Sequence, residues 1–327
     1  MTERNLLSRR ELLRRAGAVA MGGAAIAAAP SLLPRAAASV AAGHCGWGAY
    51  VDPLGGDTTV AVQRFEDLIG RKVDITRHYI RWNGDVANGP ITWSASTGHI
   101  PLVDLSTQKR GGEWILWSDI AKGVYDADLK EKGRKLRDLA HKAYFVFNHE
   151  PENDATGGTA TDFKAAYDHV RHVFDGVGAT NLRYIATLMR GTYQGARGGP
   201  AAWVPSAADV LGVDGYNRGA CNPLNGWQSF HDIFLAAHAY AKGHGRKLVI
   251  QEFGSVGREA CGKHDALSRA AWLNDAADTI TSWTEIEAVV YSNTRAQYNG
   301  QDLTFRVDAA ATSLAAYREI GHRAYFS

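Results

Sequence analysis

Eight short segments rich in Val, Ile, Leu, Phe and Tyr recur along this chain, and most of them are separated by segments with helical spacing. The strand-like segments cover residues 44–51, 74–82, 100–106, 143–151, 182–189, 209–217, 247–254 and 286–293. Helical periodicity occupies residues 60–69, 128–142, 162–174, 227–243, 268–283 and 309–322. Apolar strands that alternate with helices are typical of a parallel sheet covered on both faces. The chain is therefore predicted to be an α/β protein.

The number of repeats decides between the two common parallel architectures. Eight β–α units within 327 residues favour a single (β/α)8 TIM barrel, which we place at residues 39–327. A doubly wound sheet would carry a glycine-rich phosphate turn, and the sequence contains no G-x-G-x-x-G or P-loop motif. It also lacks the G-x-S-x-G elbow of serine hydrolases. We expect a single domain without a cofactor.

The first 38 residues have the organisation of a targeting signal. An arginine pair, Arg9-Arg10, precedes an Ala/Gly-rich run at residues 16–29 and the small-residue stretch Ala36-Ala37-Ala38. This order resembles a twin-arginine export signal. The alternatives are an amphipathic helix or a membrane anchor, but the apolar run is short and poor in Leu and Ile. We therefore expect a secreted, extracellular protein that has no membrane contact once the signal is removed.

Charge and cysteine content narrow the expected partners. The formal net charge is +2, and no basic patch indicates nucleic-acid binding. We expect a monomer. Among the three cysteines, Cys45 lies in the first predicted strand and is expected to be a buried thiol. Cys221 and Cys261 lie in loops that open on the same face, so they are either bridged or both reduced.

Two predicted strands end in a glutamate. Glu150 ends the fourth strand and Glu252 the seventh, and in a barrel both side chains would reach the same mouth. Two carboxyls about 5 to 5.5 Å apart are typical of retaining glycosidases, whereas inverting enzymes need roughly 6.5 to 9.5 Å. Alternatively, either glutamate is half of an ion pair with Arg77, Arg81 or Arg190. The pair His149-Glu150 lacks a second histidine four residues on, so we expect no metal.

Three motifs together resemble a known family. They are Asn148-His149-Glu150 at the fourth strand, Asp214-Gly215-Tyr216-Asn217 at the sixth and Gln251-Glu252-Phe253-Gly254 at the seventh. They resemble family 26 of the glycoside hydrolases, the β-mannanase family within the clan of retaining (β/α)8 glycosidases. The resemblance implies that Glu150 is the acid/base, that Glu252 is the nucleophile and that Tyr216 hydrogen-bonds this nucleophile. It also implies a substrate-site role for His149, with a structural histidine as the alternative.

The eighth strand departs from this family. The family usually presents a tryptophan there as the floor of the cleavage subsite, but this chain has Tyr291 in the segment 289–294. Either Tyr291 replaces the tryptophan or the floor is built otherwise. Trp82 and Trp114 are the first candidates for sugar stacking, since aromatic rings pack against the apolar faces of sugars.

Polar candidates complete the predicted site. Arg77, on the second strand, is a candidate for a buried arginine that bonds the nucleophile, with a structural ion pair as the equal alternative. Asn148 and Asn217, which stand in the resemblance motifs, are candidate polar contacts for substrate.

The sequence thus predicts a secreted, retaining endo-glycosidase that acts on a β-linked polysaccharide, with β-1,4-mannan as the first candidate. The alternatives with the same chemistry are a β-1,3-xylanase and a mixed-linkage β-glucanase. A non-catalytic carbohydrate-binding barrel is the alternative from another class, because fold alone does not separate them. An enzyme requires both glutamates to face one open groove, whereas a binding protein would leave them splayed or tied up in ion pairs.

Overall fold

Eight parallel strands close into a barrel in chain order. The computed structural model describes residues 44–154, 156–222, 225–257 and 268–326. The barrel strands are β1 Gly46–Val51, β2 Ile75–Ile80, β3 Ile100–Leu105, β4 Ala143–Phe147, β5 Leu182–Met189, β6 Val210–Asn217, β7 Leu248–Ser255 and β8 Ile286–Asn293. Strand β8 pairs with β1 along its length, which leaves no open edge. The predicted (β/α)8 barrel is confirmed.

Helices connect the strands and cover the outside of the barrel. They are α1 Thr58–Ile69, α2 Gly89–Ser96, α3 Trp117–Ala121, α4 Asp126–Arg137, α5 Ala160–Gly176, α6 Arg190–Tyr193, α7 Pro200–Trp203, α8 Phe230–Gly243, α9 Arg269–Ser282 and α10 Ala311–Gly321. Polar residues begin several of them. Thr159 starts α5 in a capping box with Asp162, which satisfies two backbone N–H groups that the helix itself cannot pair.

Side chains alternate between the two faces of the barrel wall. Inward residues such as Leu102, Val146 and Val249 form a closed apolar layer, while outward neighbours such as Phe145 pack against the helices. Near the C-terminal strand ends the inward positions become polar. These positions are Arg77, Tyr79, Asp104, Asp214 and Tyr216. The alternation therefore separates an apolar barrel floor from a polar mouth.

One irregularity in the barrel wall redirects a functional side chain. The pairing of β6 with β7 skips Gln251, which forms a β-bulge. Strict alternation from the inward Val249 would send Glu252 toward the helices. Because the bulge reverses the alternation, Phe253 points outward, with its ring 5.7 Å from that of Phe230. Glu252 accordingly faces the inside of the barrel mouth, as expected for bulges that re-aim a side chain.

A β-hairpin follows β8 on the same side of the molecule. Its strands are β9 Arg295–Tyr298 and β10 Gln301–Thr304, which pair antiparallel. Ala296 and Leu303 of the hairpin cluster with Tyr216 and Phe305, so the hairpin lies beside the end of β6.

The remaining sequence predictions concern a helix boundary, the N-terminal signal and the cysteines. The helix predicted at residues 128–142 runs from Asp126 to Arg137. The predicted signal at residues 1–38 and Cys261 lie outside the described residues, so the export signal and the Cys221–Cys261 bridge stay predictions. Cys45 is a buried free thiol. Among the helices that the structure describes, none has the length and apolar character needed to span a membrane.

Candidate active site

Glu150 lies where β4 ends and the chain turns sharply across the barrel mouth. Asn148 and Glu150 both have φ of 50°, in the left-handed region that non-glycine residues rarely occupy. The Glu150 N–H donates to the Thr187 carbonyl at 3.0 Å, which attaches the turn to β5. Pro151 then begins a single turn of 3-10 helix. Such backbone strain persists where the surrounding contacts fix it, as they do here.

Glu152 anchors the far side of this turn. Its Oε1 accepts hydrogen bonds from the Met189 N–H at 2.6 Å and from Thr192 Oγ1 at 2.7 Å. Its Oε2 has no hydrogen-bond partner in the part of the chain that the structure describes. Burial raises the pKa of Glu152 to about 7, against the opposing effect of the Thr192 hydrogen bond. The carboxyl that positions the Glu150 turn therefore titrates near neutral pH.

Glu252 is held by hydrogen bonds on both of its carboxyl oxygens. Arg77 Nη1 lies 2.8 Å from Oε1, and the Tyr79 hydroxyl donates to the same oxygen at 2.6 Å. The Tyr216 hydroxyl donates to Oε2 at 2.7 Å. Tyr216 also lies 2.9 Å from Ser292 Oγ, which fixes the phenol in place. These contacts determine the orientation of the carboxyl plane.

The same contacts control the charge of Glu252. Burial by itself raises the pKa of this carboxyl, but the Arg77 guanidinium and then His149 act in the opposite direction. The hydrogen bonds from Tyr79 and Tyr216 add to that effect, so the pKa of Glu252 is below its ordinary value. Glu252 is therefore ionised at neutral pH.

Glu150 has the opposite electrostatic environment. Its side chain keeps some accessible surface but makes no hydrogen bond or ion pair with any described residue. Burial raises its pKa well above the ordinary value, and the charges of Glu252, Glu152 and Asp154 raise it further. The charge of Glu252 therefore acts directly on Glu150, although the two carboxyls have different neighbours. Their environments push the two pKa values apart, which is the arrangement of an acid beside a nucleophile.

His149 contacts the nucleophile candidate rather than Glu150. Its Nδ1 lies 2.7 Å from Asp104 Oδ2, although the ring N–H is poorly aligned for a hydrogen bond, and its Nε2 lies 3.7 Å from Glu252 Oε1. Asp104 also accepts from Arg77 Nη2 at 2.9 Å. Arg77 thus makes both contacts that the sequence left open, one to Glu252 and one structural ion pair. His149 and Arg77 together connect Asp104 to Glu252.

Asp214 is a third carboxyl at this mouth. Neither of its oxygens has a hydrogen-bond partner among the described residues, and burial followed by the charge of Glu252 raises its pKa well above the ordinary value. Ligand atoms of Asp214, His149 and Glu252 lie within 4.8 Å of one another, a spacing that a cation would fit. In this structure Arg77 supplies the positive charge next to Glu252.

Two aromatic residues predicted to contact substrate lie elsewhere. Tyr291 points outward from β8: it is fully buried, its ring lies 5.1 Å from that of Phe253, and its hydroxyl donates to the Phe305 carbonyl at 2.6 Å. Trp82 is also buried, with its ring 5.5 Å from that of Tyr125. Both residues occupy the layer between strands and helices, so the predictions of a sugar platform at Tyr291 and stacking at Trp82 are wrong.

The predicted polar contacts take structural positions. Asn148 accepts hydrogen bonds from the N–H and Oγ1 of Thr107, and it is fully buried. Asn217 is likewise buried, and its Oδ1 accepts from the N–H groups of Gly219 and Gln228. Both carboxamides hold loops rather than face a groove, which corrects their predicted contact with substrate. Trp114 keeps partial exposure in the loop after β3 and remains a candidate.

Sequence reasoning missed Tyr79 and Arg218. Tyr79 stands two residues after Arg77 on β2, so the period of two places both side chains on the inner face. That spacing could have identified Tyr79. Arg218 follows β6 directly, two residues after Tyr216, and is 5% exposed. A charged residue at the end of a barrel strand was an available signal there.

No family model matches the sequence. Endoglucanase H of Acetivibrio thermocellus is 26% identical over 287 residues, an alignment that covers 79% of this chain. The chain spans only 28% of the length of that relative.

Solved structures share the fold at low sequence identity. The GH26 domain of an endo-β-mannanase/endo-β-glucanase from Prevotella bryantii has a TM-score of 0.57 and 13% identity, covering 87% of this chain and 90% of its own. An endo-β-1,4-mannanase from Cellulomonas fimi has a TM-score of 0.57 and 16% identity, covering 87% and 72%. A GH5-4 endoglucanase from an uncultured bacterium also reaches 0.57, with 11% identity and coverage of 86% and 95%. The chain is therefore similar in fold to glycoside hydrolase barrels, among them the family 26 mannanase domains that its strand-end motifs indicate.

Proposed function

We propose that this chain is a family 26 glycoside hydrolase, a secreted, retaining endo-glycosidase that acts on a β-linked polysaccharide. The observation that carries the proposal is the pair of glutamates at one barrel mouth with oppositely shifted pKa values, raised at Glu150 and lowered at Glu252. A protonated acid beside an ionised carboxylate is what double displacement at an anomeric carbon requires. The ion pair of Glu252 with Arg77 fits this role because it favours the ionised nucleophile, while Glu150 forms no ion pair with a described residue.

In the first step Glu252 attacks the anomeric carbon while Glu150 gives its proton to the departing glycosidic oxygen. A covalent glycosyl ester on Glu252 results, and the leaving sugar departs as an alcohol. In the second step the ionised Glu150 removes a proton from water, which displaces Glu252 with net retention. Two inversions on opposite faces of the ring restore the original anomer.

The neighbours of Glu252 prepare it for attack. Arg77 and Tyr79 both bind Oε1, whereas Oε2 accepts the hydrogen bond of Tyr216. Oε2 is accordingly the oxygen that we assign to attack, because it gives up fewer contacts. Hydrogen bonds that fix the carboxylate before reaction reduce the reorganisation needed in the transition state.

β-1,4-Mannan is the first candidate substrate, since family 26 domains of mannanases share the fold and the three motifs point to that family. A mixed-linkage β-glucan is the second, because the relative that matches by sequence is an endoglucanase. β-1,3-Xylan is the third candidate. Because Tyr291 is buried and points outward from β8, it does not provide the aromatic floor expected of a mannanase, which supports testing all three.

Release of reducing ends from these three polymers tests the proposal. We expect the wild type to cleave at least one of them. Glu150→Ala should lose about 10²- to 10⁴-fold in rate, the usual effect of removing a general acid. Glu252→Ala should show no turnover, and Glu319→Gln, at an exposed carboxyl on α10, should match the wild type. If the wild type cleaves none of the polymers, or if Glu252→Ala stays active, the proposal is wrong.

Export is part of the proposal. Residues 1–38 carry the twin-arginine pattern, with cleavage expected close to Ala38. Replacing Arg9-Arg10 by two lysines should retain the protein inside the producing cell. Mass spectrometry of the protein from the medium should give a mature N-terminus near residue 39. Unchanged secretion of the lysine variant would contradict this route.

A further inference from the structure

Arg218 is a buried cation that has no anionic partner in the described chain. It follows β6 directly and keeps only 5% of its surface exposed. Its Nε is buried without a hydrogen-bond partner, and its guanidinium makes no ion pair with any described residue. Burying a charge without a partner is unfavourable, so a buried arginine of this kind is expected to meet an anionic ligand.

Two tyrosines form the walls around this guanidinium. Its central carbon lies 4.9 Å from the centre of the Tyr298 ring, on strand β9, and 5.6 Å from that of Tyr216. Cation–π contacts of this kind hold a guanidinium in place and leave its N–H edge available. The hairpin β9–β10 and the end of β6 therefore present Arg218 in a fixed position.

Arg218 belongs to the same mouth as the two glutamates. Glu150 and Glu252 both act electrostatically on its guanidinium, and Tyr216 links it to the carboxyl of Glu252 through one hydrogen bond. Arg77, another buried arginine of this region, is already paired with Asp104 and Glu252. Arg218 thus differs from Arg77 in having no anionic partner among the residues that the structure describes.

We propose that Arg218 binds the carboxylate of a hexuronic acid unit in the polysaccharide substrate, next to the site of cleavage. A guanidinium offers two parallel N–H donors that match a carboxylate, and such bidentate pairs are strongest where water is excluded. The inference rests on the proposed glycosidase function and narrows it, since it selects acidic β-glycans over neutral ones. Tyr298 is the residue that keeps the guanidinium in register with the sugar.

Matched substrates that differ only in the carboxyl group test this inference. One pair is glucuronoxylan and the same polymer after reduction of its carboxyls to alcohols. The other is a β-1,4-linked mannuronate oligosaccharide and the β-1,4-mannooligosaccharide of equal length. In at least one pair we expect the wild type to prefer the acidic member by about ten- to a hundredfold in kcat/KM, the range of one charge-assisted bond.

Variants assign that preference to the guanidinium. Arg218→Met should bring the ratio close to one, mainly by raising KM for the acidic substrate, and Arg218→Lys should keep only part of the preference. Arg295→Met removes an exposed positive charge from the same hairpin and should keep the wild-type ratio. Circular dichroism establishes that each variant is folded. The inference would be overturned if the wild type showed no preference in either pair, or if the preference survived in Arg218→Met. The glycosidase proposal would still stand in that case, provided that the neutral glycans were cleaved.

A binding measurement separates the two proposals if no glycan is cleaved. Calorimetric titration of the acidic oligosaccharides into Glu252→Gln requires no turnover. We expect the acidic oligosaccharide to bind at least ten times more tightly than the neutral member of its pair. This difference in affinity should vanish in the double variant that combines Glu252→Gln and Arg218→Met. Equal affinity for the acidic and neutral members of both pairs would refute the role of Arg218 even in an inactive protein.

Discussion

Glu152 provides a quantitative test of how the Glu150 turn is held. We expect Glu152→Gln to change the pH dependence of folding stability. The native pKa of Glu152 rises from 4.5 to about 7, a change of about 2.5 units, which corresponds to about 3 kcal/mol. The side chain is 4% exposed, so solvent screening reduces this value little.

The sign follows from proton binding. Below the unfolded pKa both states carry the proton, and the Glu152 contribution to stability is fully present. As pH rises, the unfolded state ionises first, and the contribution is lost progressively up to a pH just above the native value of about 7. A glutamine at this position does not titrate. The stability of the wild type relative to Glu152→Gln should therefore fall by about 3 kcal/mol between about pH 4.5 and pH 8.

Urea denaturation of both proteins at half-unit pH steps across that range measures this difference. Glu319→Gln is the matched control, because it neutralises an exposed carboxyl on α10. Its stability difference from the wild type should change by no more than about 0.5 kcal/mol over the same range. If the stability difference between the wild type and Glu152→Gln changed as little with pH, Glu152 would not be a buried carboxyl that titrates near neutral pH beneath the Glu150 turn.

Three further predictions concern the mouth itself. Tyr216→Phe removes the 2.7 Å hydrogen bond to Glu252 Oε2, so kcat/KM should fall about ten- to a hundredfold. Because that bond lowers the pKa of Glu252, the acidic limb of the pH–rate profile should move to higher pH. An unchanged acidic limb would contradict the contact. Arg77→Met leaves Asp104 and Glu252 buried without their cation, so the free energy of unfolding should fall by about 3 to 5 kcal/mol. Chemical denaturation measures this loss, and a loss under about 1 kcal/mol would contradict the pairing. The wild-type pH–rate profile should be bell-shaped. Activity should be lost as pH falls through the lowered pKa of Glu252 and as pH rises through the raised pKa of Glu150. Glu150→Gln should abolish the alkaline limb, and an alkaline limb that persists in this variant would assign the limb to another group.

The barrel and its two glutamates were predictable because both depend on local patterns. Apolar runs that alternate with helices indicate a parallel barrel, and a glutamate at the end of such a run lies at the C-terminal end of the barrel, whichever way its side chain points. The direction of individual side chains was harder to predict. Tyr291 follows the inward Val290 and therefore points to the helices, and this depends on a register that only strand pairing establishes.

Two other features depend on irregular backbone. The bulge at Gln251, which turns Glu252 inward, has no distinctive residue to announce it. The β9–β10 hairpin does have a sequence signal, because Asn299-Gly300 is a favoured two-residue hairpin turn, and both residues have positive φ in the structure. Because this hairpin carries Tyr298, missing it also concealed the surroundings of Arg218.

The central claim is that Glu252 becomes covalently attached to the sugar during turnover. A 2-deoxy-2-fluoro glycoside of the cleaved sugar, with a good leaving group, should slow release of the intermediate enough for mass spectrometry of the digested protein. We predict a single sugar adduct on the peptide that contains Glu252, and no adduct in Glu252→Gln. An adduct on a different residue, or a first-formed product with inverted anomeric configuration, would contradict the double-displacement mechanism.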